Sequence, residues 1–377
     1  MSLPTPCFSL LARMVAIATG AQARPDIPAP VDWSDFVRLC RQHRVATLVL
    51  PVAKQWNGMP GQVLADITAL ARANSMAALT RMAELAGLHR LFAAAGIRFL
   101  VLKGIPLSCL LYGDPARRGS GDIDLLVAPA DFAAAAELLR GHGHALLDGM
   151  PTLTGDPGRD HPVRDLGLHR NGILIELHQR LTGNNHRLPL SFDELHDQRA
   201  TVMVAGSPIP IPGPPHLGLY LFVHGASHGW ERLSWLADLA MLCRDAGAAE
   251  QLYRQAAGQG MAKAAEQTFA LLRYLLDCPL PDLPGPAKPS WLALRLAQGH
   301  AGRRRDKAWL VHVLGMRWQI WRLRRDPGSF QRELAYDFRN PAGNAAIRLP
   351  PGLAWLMPVL RPFGFVWRNL LHRDGDR

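Results

Sequence analysis

The stretch Arg118-Gly119-Ser120-Gly121-Asp122-Ile123-Asp124-Leu125-Leu126-Val127 restricts the fold more than any other part of this chain. Its second half reads as a β-strand, in which alternate side chains point to opposite faces. Asp122 and Asp124 then share one face. Ile123, Leu125 and Val127 share the other, where a helix can cover them. Two carboxylates about 5 Å apart repel by roughly 3 kcal/mol at an effective dielectric near 20. Something has to offset that repulsion, and a divalent cation does so directly, since Mg²⁺ prefers oxygen ligands and a few carboxylates.

A third oxygen ligand is available in Ile173-Leu174-Ile175-Glu176-Leu177-His178, an apolar strand with one acid in its middle. If this strand lies beside the aspartate strand, Glu176 reaches the same cation. The competing reading makes Glu176 a core acid paired with Arg164 or Arg170. His178 shares its strand face and either joins the site or orients the acid. A further piece is Phe99-Leu100-Val101-Leu102-Lys103-Gly104 followed by a helix. A strand, a glycine turn and a helix N-terminus together form a phosphate cradle, because free N–H groups and the helix dipole attract an anion. Lys103 adds charge there, and Arg117 and Arg118 approach the same edge to neutralise a triphosphate.

Hydrophobic periodicity places these pieces in an α+β chain, with a small mixed β-sheet between two helical regions. Residues 1–30 read as a flexible arm, or as a short helix followed by a linker. Residues 31–96 are helical, with a long stretch from Gln62 to Ala95 that Gly96 caps. Strands alternate with helices over 97–212, including a helix over 105–112, one over 131–141 begun by Asp131, and a ribbon over 202–211. Residues 213–278 are helical again, with stretches at 216–228, 233–244 and 248–276. Residues 279–377 comprise a proline-rich linker and a basic region rich in Trp and Arg.

Composition bounds the class. Hydrophobic residues make up 48% of the 377, enough for a sizeable core and against disorder of the whole chain. The net charge of +11 and pI near 10.0 suit a polyanionic partner. The excess is uneven, however, with Arg303, Arg304, Arg305, Arg317, Arg322, Arg324 and Arg325 crowded in one stretch. Five widely spaced cysteines without a CxxC pair argue against a disulfide framework or zinc site and fit the cytoplasm. The apolar patch from Phe8 to Ala18 is interrupted by Arg13 and follows no basic residue, so a secretory signal is not expected.

Taken in order, the motifs resemble the polymerase-beta-like nucleotidyltransferase superfamily. More narrowly, they resemble an uncharacterised bacterial nucleotidyltransferase family. The residues that carry the resemblance are Leu102-Lys103-Gly104, Tyr112, Arg118, Asp122 to Val127, and Glu176-Leu177-His178. Gln42-His43-Arg44-Val45 upstream and His224, His228, Trp230, Leu233, Trp235 and Asp238 downstream extend it. Lys103-Gly104 departs from the Gly-Ser or Gly-Gly pair usual in the superfamily. The resemblance implies a small nucleotidyltransferase sheet with flanking helices, a C-terminal helical domain and an NTP substrate. It implies two Mg²⁺ ions, replaceable by Mn²⁺, on Asp122, Asp124 and Glu176, with these acids catalytic. An acceptor hydroxyl attacks the α-phosphate and pyrophosphate leaves. Lys103, Gly104, Arg118 and Ser120 are then expected at the nucleotide, with Glu176 helping to deprotonate the nucleophile.

Several alternatives stay open at this level. His224 and His228, four apart on one helix face, line an acceptor pocket with His178 and Asp238, or hold a metal, or serve the core. The acceptor is a small molecule, sugar, peptide or protein. Nucleotide addition to RNA and a non-catalytic nucleotide- or partner-binding module are the rival functions. The Trp/Arg-rich region from Trp309 to Arg325 binds nucleic acid or an acidic membrane surface, or is a solvated helix whose tryptophans pack inward. The apolar tail from Leu353 to Leu371 lies on a membrane surface or docks on the core.

Overall fold

The computed structural model describes residues 4–22, 31–148, 164–299 and 307–339. Helix α1 (Pro6–Ala18) is the short helix of the two expectations for the N-terminus. Cys7, Phe8, Leu10, Leu11, Met14 and Val15 are all buried, so this stretch is no loose arm. It packs on α2 (Trp33–Gln42) and α3 (Ala46–Gln55), and also on the much later α11 (Ala262–Leu276). Helix α4 (Gly61–Ala94) runs along the sheet side and stops where expected. Gly96 takes a positive φ of 68°, its N–H reaches Ala93 O, and Ile97 N–H reaches Phe92 O. That pair of bonds is a Schellman stop, which favours glycine at the left-handed position.

The sheet follows. Strand β1 (Phe99–Val101), helix α5 (Ile105–Tyr112), strand β2 (Asp122–Val127), helix α6 (Phe132–Gly141), strands β3 (Ala145–Leu146), β4 (Asp165–Arg170) and β5 (Ile173–His178) come in that order. Among the described residues they form one mixed sheet, ordered β1-β2-β5-β4-β3. Only the β2–β5 pair is parallel. Its register sets Asp122 opposite Leu174, Asp124 opposite Glu176 and Leu126 opposite His178. Asp131 does stand at the start of α6, but its side chain makes no capping bond.

Helix α7 (Phe192–Asp197), which the hydrophobic pattern did not reveal, begins at Ser191, whose side chain accepts from Glu194 N–H. The expected ribbon is a hairpin of β6 (Ala200–Val204) and β7 (Ser207–Ile211), turning at Ala205-Gly206 with both φ positive. Helices α8 (Pro214–Ser227), α9 (Leu233–Leu242) and α10 (Ala246–Gly258) precede α11. The single helix expected over 248–276 is broken in two. Gly260 at φ 74° makes another Schellman stop, with Met261 N–H on Ala256 O. Residues 279–289 form neither helix nor strand. Helices α12 (Trp291–Ala297), α13 (Lys307–Trp321) and α14 (Ser329–Arg339) complete the described fold. Arg303, Arg304 and Arg305 and the stretch Leu353 to Leu371 lie outside the described residues.

One hydrophobic cluster runs from Cys7 in α1 to Leu323 after α13, joining the sheet to both helical regions. No helix of the described residues is long and apolar enough to cross a membrane. The α8–α9 turn is closely packed. Trp230 is 1% exposed at φ 55°, and its indole N–H donates to Thr268 Oγ1 at 3.0 Å. A Cβ on Gly225 would stand 2.1 Å from the Trp230 ring, whereas one on Gly218 would meet only Leu252 at 3.8 Å. Gly225→Ala is therefore expected to destabilise by about 1–3 kcal/mol through overpacking. Gly218→Ala, in the same helix, should be neutral or stabilising by up to ~1 kcal/mol. Denaturant midpoints of the two variants check this, and equal losses in both would contradict it.

Candidate functional site

The parallel register of β2 and β5 puts Asp122, Asp124, Glu176 and His178 on the floor of one pocket of about 230 Å³. The α2–α3 turn supplies Arg44 to its wall. The β2 approach supplies Arg118 and Gly119, β4 is preceded by Arg164, and α8–α9 contribute Tyr220, His224, His228, Glu231, Arg232 and Trp235. The site is thus built by the sheet and by both helical regions. Glu176 is not a core acid held by Arg170, which pairs with Glu84 at 2.8 Å. Arg164 donates to Asp165 at 2.6 Å and acts on Glu176 only through space.

The cation that offsets the aspartate repulsion in this structure is Lys103. Its ammonium lies 3.4 Å from Asp122 Oδ1 and is in direct contact with Asp124 Oδ2. Lys103 was expected at the nucleotide phosphates; its burial (9% exposed) ties it to the nearest carboxylates instead. On its other oxygen, Oδ1, Asp124 meets His178 Nε2 at 3.3 Å, and that nitrogen lies 3.5 Å from Glu176 Oε2. Burial disfavours charge on Asp124, but Lys103 and His178 outweigh it and hold the carboxyl far below its ordinary range. Burial likewise opposes charge on His178, but its hydrogen bonds to Asp124 and Glu176 raise its pKa overall.

Donor atoms of Asp124, Glu176 and His178 all lie within 4.8 Å of one another. Two carboxylates and an imidazole at that spacing fit a divalent cation. Among the described residues this is the one such group, and it does not include His224 or His228.

Other expected residues fall differently. Arg118 is 4% exposed and donates from Nε to Asp238 Oδ2 at 2.6 Å, while Tyr112 donates to Asp238 Oδ1 at 3.1 Å. Burial works against the Arg118 charge, and Asp238 more than compensates. Arg118 borders the pocket with its charge already matched, so it is not a free phosphate ligand. Asp238 does not line the pocket at all; it is the buried anchor of Arg118. Gly104 and Ser120 are also absent from the lining. They close the turn beside it: Ser120 Oγ donates to Asp122 O at 2.9 Å, and a Cβ on Gly104 would meet that hydroxyl at 3.2 Å. Gly104 has φ 83°, a second reason for glycine there.

His224 and His228 do line the pocket. Their rings lie 4.9 Å apart, and both meet Trp235. Burial pushes His224 well below its usual range and lowers His228 to about 4, so both imidazoles are uncharged at neutral pH.

Arg44 and Arg232 also line the pocket, and little in their local sequence marks them as site residues. Arg44 ends α2 at φ 56°, with its N–H on Arg41 O and Val45 N–H on Cys40 O. This is the same helix stop that Gly96 and Gly260 make, but with an arginine in the left-handed position. That placement costs about 1–2 kcal/mol for a residue with a Cβ. The Arg44 guanidinium lies over Gly121, where a Cβ would stand 2.8 Å from it, and its carbonyl lies over Gly119 at 3.0 Å. The two glycines beside the aspartates are therefore clearance for Arg44. Burial and the neighbouring Arg232 lower Arg44 to about 10, still charged at neutral pH. Arg232 lies over the Trp235 ring at 5.3 Å. A left-handed residue is not visible as such in sequence; the only signal for Arg44 was its place in the Gln42-His43-Arg44-Val45 motif.

The model of a family described as an uncharacterised nucleotidyltransferase matches residues 29–277. No curated protein and no solved structure matches the chain. The matched stretch contains every residue named above as lining the pocket, along with the whole sheet. It covers more than half of the 377 residues, and the chain belongs to this nucleotidyltransferase family.

Proposed function

We propose that this chain transfers a nucleoside monophosphate from an NTP to a hydroxyl of a biosynthetic acceptor, with release of pyrophosphate. The observation that carries the reading is the facing of Asp124 and Glu176 across the parallel β2–β5 pair, on the floor of a pocket walled by arginines. The acids would hold a divalent cation, Mg²⁺ or Mn²⁺, which when bound supplies charge stabilisation to the phosphoryl oxygens. Arg44 and Arg232, which share the pocket, bind the triphosphate as an anion. Among the three acids Glu176 has the most exposed side chain, 31% against 19% for Asp122 and 2% for Asp124. It is therefore the one an incoming hydroxyl meets, and it accepts that proton as the oxygen attacks the α-phosphorus. The uncharged His224 and His228, beside Tyr220 and Trp235, form an aromatic wall for the acceptor or the base.

Incubation with a divalent cation and each labelled NTP tests the reading. Label on a metabolite, sugar, peptide or protein supports it. Label on an oligonucleotide would reassign the chain to nucleotide addition on RNA. Nucleotide binding with no pyrophosphate release across acceptors would make it a binding module. Asp124→Asn should lower turnover at least ~100-fold, about 2.7 kcal/mol of transition-state stabilisation. Full activity in that variant would remove Asp124 from the chemistry.

Arg44 gives a second, sharper expectation. Arg44→Gly relieves the left-handed backbone, so thermal stability should stay level or rise by up to ~1 kcal/mol. KM for the NTP should nonetheless increase about tenfold or more, the worth of a lost charge-assisted hydrogen bond. A purely structural arginine would show the reverse, lower stability with KM unchanged.

A further inference from the structure

Asp124 has two sides. Oδ2 contacts the Lys103 ammonium, which also approaches Asp122. Oδ1 faces His178 Nε2, and Glu176 completes that side. One side therefore already holds a cation that belongs to the chain, and the other presents three donor atoms within 4.8 Å of one another. We propose that the site takes a single divalent cation among Asp124, Glu176 and His178, while Lys103 permanently fills the second cation position, between Asp122 and Asp124. The donor set is mixed, two carboxylates with an imidazole nitrogen. Mg²⁺ asks for oxygen ligands, whereas a ring nitrogen suits first-row transition ions. The site is thus one for Mn²⁺-class ions ahead of Mg²⁺. This rests on the transferase reading for its purpose, and it adds the number and class of the metal.

Lys103 has no easy way out. Leu102 N–H bonds to Asp124 O at 3.1 Å, and Val101 pairs with Leu125, so the backbone seats the lysine beside the aspartates. The Gly104 turn that follows is held against Ser120. The other cationic groups at the pocket are Arg44, Arg118, Arg164 and Arg232. Its remaining acid, Glu231, lies 3.2 Å from His312. An ammonium leaving the aspartates would stay largely buried among like charges, which is strongly unfavourable.

The test counts protein-bound Mn²⁺ on the full chain by electron paramagnetic resonance. It is run without nucleotide, then with a saturating α,β-methylene triphosphate. The wild type is expected to saturate at one ion per chain in both conditions, with nitrogen hyperfine coupling on the bound ion. Lys103→Met, with Lys103→Gln as a second variant, should saturate at two once the analogue is present. His178→Gln should lose the nitrogen coupling and weaken Mn²⁺ at least tenfold. Two ions on the wild type, a count of one in both lysine variants, or no nitrogen coupling in the wild type would each overturn the proposal. The count needs no turnover. A chain that binds one Mn²⁺ yet transfers nothing refutes the transferase reading alone, and an active chain with two ions refutes this one alone.

Discussion

The contact on which the site depends is the buried one between Lys103 and the aspartates of β2. An acid that is 1% exposed cannot stay ionised in a protein interior without a partner, and Asp124 has two, the Lys103 ammonium and the His178 ring. Each partner arrives on a different strand neighbour. Lys103 follows β1, which pairs antiparallel with β2, and His178 ends β5, which pairs parallel with it. Strand order and charge pairing therefore support each other. Were β1 shifted by one residue, Asp124 would lose Lys103; were β5 shifted, Glu176 and His178 would turn to the other face and Asp124 would lose the ring.

The same logic explains how much of the site was legible in the sequence. Period-two alternation placed Asp122 and Asp124 on one face and Glu176 with His178 on another strand's face, and strand pairing made the two faces one. Local signals also located α4 with its Gly96 stop and α5 between Gly104 and Gly113. What alternation cannot convey is which side chain neutralises which. Arg118 looks like a free phosphate ligand until Asp238, 120 residues later, closes on it. Lys103 looks like a phosphate ligand until its ammonium is found against Asp122 and Asp124. Both misreadings come from buried ion pairs between distant segments, where the desolvation of each charge demands the other.

Helix stops show the reverse, a local signal read in one place and passed over in another. Gly96 and Gly260 end α4 and α10 with the same two backbone bonds, yet the Ala-rich pattern after residue 248 hides the second. Arg44 ends α2 in that geometry with a side chain where glycine is favoured. Such a cost persists only where the surroundings hold it, and here they do, since Gly119 and Gly121 are clear of side chains along its path. The Gly-Ser-Gly approach to the aspartates is a channel for the arginine that ends α2.

That arginine bears on where the chain's positive charge matters. The overall +11 invites a reading in which bulk basicity draws in a polyanion, but the pocket does not work by bulk charge. Arg118 is matched by Asp238, Arg164 by Asp165, and Lys103 by Asp122 and Asp124. Arg44 and Arg232 then remain as the pocket cations not committed to one of these pairs, and they lie close enough for Arg232 to lower the Arg44 pKa. Two like charges held together in a partly buried pocket are a standing electrostatic cost, relieved when an anion binds between them. On the proposed reading, those two placed charges are what would select a phosphate chain, whereas Arg317, Arg322, Arg324 and Arg325 add to the net charge without lining the pocket.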